Sequence, residues 1–93
     1  MQNHLDFGRL RPAIAKLLRG MLGSKARAVG YEIEDFTQDT ILRALARQRT
    51  SAAWNPTRAS WETWIVRVAN DTLRTAYRRQ KLQAKVEAAR DWA

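Results

Sequence analysis

Ninety-three residues hold one modest hydrophobic core, too little for a lobed enzyme, and with 45% apolar residues and only four glycines the chain is no disordered tail. Seventeen Lys and Arg against nine Asp and Glu give a formal charge of +8, which points to a polyanionic partner. The absence of cysteine excludes a disulfide framework and a thiolate metal site, and it fits a reducing cytoplasm.

The N-terminus places His4, Asp6, Arg9 and Arg11 ahead of any apolar periodicity, which is wrong for a signal peptide, and His4 reads as an inert terminal residue. Phe7, Leu10, Ile14, Leu17, Leu18 and Met21 then recur at three- and four-residue steps, which predicts a first helix from Phe7 to Leu22. Pro12 falls near its first turn, where a missing N–H costs little. Gly20, Gly23 and Ser24 mark its expected end, and Lys25 to Tyr31 reads as a short turn closed by Gly30.

A second helix is predicted from Ile33 to about Gln48, with acidic residues in its first turn complementing the helix dipole. Ile33, Phe36, Thr37, Thr40, Ile41, Ala44 and Leu45 form its expected inward face. Asp35, Gln38, Asp39, Leu42 and Ala46 share the other side, an acidic stripe with an apolar residue at its middle. That combination suits a docking surface, while a plainly solvated acidic helix start is the simpler alternative.

Arg49 to Ala59 reads as a loop turning at Asn55-Pro56. Ser60 is a good N-cap for a third helix from Trp61, whose apolar face is Trp61, Trp64, Ile65, Val68, Ala69, Leu73 and Ala76. Arg67, Arg74, Arg78, Lys81 and Lys85 make an opposing basic stripe, either a nucleic-acid surface or a solubilising one. Asn70, Asp71 and Thr75 among these charges argue for nucleic acid over a membrane surface, and no apolar run approaches the roughly 20 residues of a membrane span. The tryptophans at helical spacing favour core packing over base stacking. There is no strand pattern, so the prediction is an all-α, compact bundle of three main helices with a long basic C-terminal helix. The chain also offers no catalytic constellation, no metal site and no cofactor site, because its neighbouring carboxylates all belong to one helix.

Glu34-Asp35-Phe36-Thr37-Gln38-Asp39-Thr40-Ile41-Leu42-Arg43 resembles the E-D-L-x-Q-[ED]-x-F-[LI]-[RK] stretch in region two of bacterial RNA polymerase sigma factors, in the manner of the extracytoplasmic-function group. Trp54-Asn55-Pro56-Thr57-Arg58-Ala59-Ser60-Trp61 resembles that group's F-D-P-x-[RK]-G-S-F. Trp61, Trp64, Ile65, Val68 and Ala69, followed by Arg78 and Arg79, resemble its F-x-x-W-L-x-x-I-A-x-N…R-R. The resemblance covers about residues 8–80 of a single domain spanning 1–93.

The resemblance implies a module of transcription initiation. Asp35, Gln38, Asp39, Leu42 and Arg43 would dock on the clamp helices of the polymerase β′ subunit. Asn55, Arg58, Ser60, Arg67, Asn70, Arg74, Arg78, Arg79 and Lys81 would bind the non-template strand of the promoter minus-ten element. The chain departs from the pattern at Ile41, Ala59, Asp71 and Thr75. Asp71 stands where the family has Asn, adding a carboxylate on the expected DNA-facing side. With no region four following, the expectation is a stand-alone or excised region two, a complete chain relying on a second regulator for upstream DNA. The alternatives are a polymerase-binding adaptor that reads no promoter and a nonspecific helical DNA-binding protein.

Overall fold

A computed structural model describes residues 5–90, and His4 lies outside them. They form three helices, α1 (Phe7–Ala28), α2 (Ile33–Arg47) and α3 (Trp61–Arg90), each packed against the other two. The all-α expectation holds. Among the described residues no helix is long and apolar enough to cross a membrane.

Asp6 caps α1, its carboxylate accepting from the Arg9 amide at 3.1 Å. Pro12 lies in the second turn and lacks the N–H that would reach the Gly8 carbonyl; both residues are exposed, so water can serve that carbonyl. The helix runs through Gly20 and Gly23 to Ala28, six residues beyond its predicted end. The reason is packing. Ile14, Leu18, Leu22 and Ala26 keep a four-residue row buried along its length, and that burial outweighs the cost of two glycines. The end comes at Gly30, whose φ of +72° is left-handed, with the Tyr31 amide turning back to the Ala26 carbonyl at 2.8 Å.

In α2 the buried residues are Phe36, Thr37, Thr40, Ile41 and Ala44. The Thr37 hydroxyl satisfies itself on the Ile33 carbonyl at 2.7 Å. Leu45 was expected inside and is 44% exposed, because it follows Ala44 by one residue and points off the buried row. α3 starts at the Ser60 cap as predicted, the Ser60 hydroxyl accepting from the Thr63 amide at 3.2 Å. Trp64, Ile65, Val68, Ala69, Thr72 and Leu73 fill the core between the other helices, and every residue from 78 to 90 is exposed beyond it. The molecule is accordingly elongated, 58 × 27 × 21 Å.

Candidate functional site

Two surfaces of different chemistry emerge on different elements. On α2, Asp35, Gln38, Asp39 and Leu42 are exposed together, with Leu42 at 53%. Helical spacing brings them into line, and the neighbouring elements brace two of them. The Gln38 carboxamide oxygen accepts from the Arg11 guanidinium of α1 at 2.7 Å. The Asp39 carboxylate accepts from the Tyr31 hydroxyl, and the Tyr31 ring in turn lies against Phe36 at a centroid distance of 5.4 Å. Burial of that hydroxyl, reinforced by Asp39, raises the Tyr31 pKa far above its ordinary value, so the phenol remains a donor. Leu45, exposed beside Ala46, lengthens the apolar part of this surface, which periodicity alone had assigned to the core.

Arg43 does not join the stripe. It sits on the flank of α2 that meets α3, half-buried, and donates to the Thr75 hydroxyl at 3.0 Å.

The second surface centres on an open pocket of about 380 Å³ where the end of α2, the following loop and α3 meet, lined by Arg47, Ala52, Trp64, Arg67, Asn70, Asp71 and Arg74. Two indoles brace the loop that forms its rim. Trp54 donates to the Ala59 carbonyl at 2.9 Å and Trp64 to the Ala52 carbonyl at 3.1 Å. Trp64 is buried and Trp54 and Trp61 are half-buried against the core, in line with the packing role expected of them.

Asn55 and Ser60 serve local geometry. The Asn55 oxygen accepts from the Thr57 amide at 3.0 Å and the Thr57 hydroxyl at 2.6 Å, an Asx turn that sets the loop, while Ser60 caps α3. Arg58, Arg67, Arg74, Arg78 and Lys81 are exposed, and Asn70 is half-exposed at the pocket. Arg79 stands apart from them. It continues the core-facing row of Val68 and Thr72 past the end of the bundle, and its charge acts on Tyr31 beside the α2 stripe.

Asp71 lines this pocket, on the face where the sequence placed it. Its carboxylate accepts from Arg47 at 2.6 Å and from Arg74 at 3.4 Å, with side-chain exposures of 34% for Asp71 and 28% for Arg47. Asp71 therefore ties α3 to α2 and is compensated by two guanidinium groups. Arg47 itself was missed as a pocket residue. Its partner lies 24 residues away, so no local spacing announces the pair.

Compared with known proteins, residues 7–83 match the family model described as Sigma-70 region 2. No curated protein and no solved structure matches the chain. The family match begins at the first residue of α1, passes through α2 and the braced loop, and ends within the exposed part of α3; the chain belongs to the Sigma-70 region 2 family.

Proposed function

We propose that α2 docks on the β′ clamp helices of bacterial core RNA polymerase while the loop and α3 hold the minus-ten non-template strand. Membership of the family supports a sigma-factor-like role in transcription initiation, with core polymerase and promoter DNA as the partners that role implies. Docking falls to Asp35, Gln38, Asp39 and Leu42, extended by Leu45: the carboxylates and amide suit a basic coiled coil and the leucines supply apolar contact. DNA binding falls to Arg67, Asn70 and Arg74 at the pocket, with Arg58 on the loop and Arg78 and Lys81 farther along α3, where the cations neutralise phosphates and release counterions.

One observation carries this reading. The acidic, apolar-centred stripe and the arginine-rich pocket are separate, and no residue of the stripe lines the pocket. The adaptor alternative drew on Asp71 and Thr75, and the pairing of Asp71 with Arg47 and Arg74 weakens the first of these supports.

The test is a pair of titrations on one variant. Reversing the charge at Asp35 and Asp39 to lysine is expected to lower affinity for core polymerase at least about tenfold. Affinity for a minus-ten-like single strand should stay at or above the wild-type value. Equal loss of both in a folded variant would overturn the assignment of the two surfaces.

A further inference from the structure

α3 also borders a second groove on the side of α1. It is open, about 450 Å³, and lined by Lys25, Ala28 and Val29 from the end of α1 with Asn70, Leu73, Arg74 and Tyr77 from α3. Its walls combine apolar carbon from Val29 and Leu73 with cations from both helices, and no acidic residue lines it. Tyr77 is an aromatic residue left 48% exposed, and the Lys81 ammonium sits 4.9 Å from its ring centroid. Asn70 and Arg74 line both this groove and the arginine-rich pocket, so the two openings adjoin across one ridge of α3.

We infer that this groove is a second nucleotide subsite, in which an unpaired DNA base stacks on Tyr77 and its flanking phosphates run along Lys25, Arg74 and Lys81. The inference rests on the nucleic-acid reading of α3 and extends it to α1. An exposed aromatic ring set among cations, beside an apolar wall, is the chemistry by which single strands are held without regard to base identity. With the Lys81 ammonium over one face of the ring, stacking falls to the other face, and the lysine brings a cation close to the stacked base. A protein partner fits less well, since the groove offers cations and a single ring but no acceptor carboxylate to fix an orientation.

Anisotropy titrations of the full chain with labelled oligothymidylate and with an abasic oligomer of the same length test this. Tyr77→Leu should weaken thymidylate binding about fivefold or more and leave the abasic oligomer unchanged. Tyr77→Phe, which keeps the ring, should bind as wild type does. Lys25→Gln should weaken both oligomers alike and make the salt dependence shallower by roughly 0.7 in log–log slope. If Tyr77→Leu weakens both oligomers equally, or neither, the stacking subsite is wrong. Should Arg67→Glu still lower binding in that series, the arginine pocket survives without it. Wild-type protein that binds neither oligomer overturns the subsite and the proposed DNA role together.

Discussion

Tyr31 keeps its proton in the folded protein because its hydroxyl is partly buried and donates to Asp39. A pKa raised above the ordinary value of about 10 means that the folded state binds this proton more tightly than the unfolded state does. The resulting stability is present below about pH 10 and drains away as the pH climbs above it. Tyr31→Phe has no proton to lose, so its unfolding free energy should fall less steeply than wild type above that pH in alkaline urea titrations. At neutral pH the same variant should cost about 1 kcal/mol for the lost hydrogen bond. Asp71 carries a prediction of mixed sign. Asp71→Asn leaves Arg47 without its counter-charge and should lower stability by about 1 kcal/mol, a modest figure because both side chains reach solvent. The same change removes a negative charge from the lining of the arginine-rich pocket, so single-stranded DNA should bind more tightly, as anisotropy would register. Of these residues the α2 stripe was legible in the sequence, because Asp35, Gln38, Asp39 and Leu42 lie at helical spacing within one element. The Asp71–Arg47 pair, the turn of Arg43 toward Thr75 and the Trp64 brace to Ala52 were not, since each joins elements that only tertiary packing brings together.

Among the elements, the starts of α2 and α3 could be read from local chemistry: an acidic first turn in one, a serine cap in the other. The end of α1 could not. Gly20, Gly23 and Ser24 carry the local signature of a stop, and the burial of Leu22 and Ala26 overrides it. The override has a measurable residue. A Cβ at Gly20 would meet nothing within 4 Å, so Gly20→Ala should stabilise the domain by about 1 kcal/mol through helix propensity. Gly30→Ala finds equal space but must adopt a φ of +72°, and it should destabilise by about 1 kcal/mol. Urea midpoints should move in opposite directions at constant m-value; a gain at both sites would mean that the turn after α1 relaxes out of the left-handed region.

Across the whole molecule, the three-helix architecture and the separation of an acidic from a basic surface could be anticipated, because each surface belongs to a single amphipathic helix. The pocket could not, because it is assembled from the end of α2, the loop and α3. That assembly also divides the labour of stability. The core fixes α3 as far as Leu73, and the loop indoles hold the rim, yet from 78 to 90 the helix has exposed residues only. At a rise of 1.5 Å per residue this length projects about 20 Å into solvent. Its hydrogen bonds continue those of the core segment and need no nucleation, but no packing protects them. Amide hydrogen exchange should therefore be slow up to about Leu73, opening only with global unfolding, and should quicken steadily toward Arg90 by fraying from the end. Uniformly slow exchange through Arg90 would mean that a neighbour covers this arm. By its backbone α3 is one helix; by the free energy needed to open it, it is two.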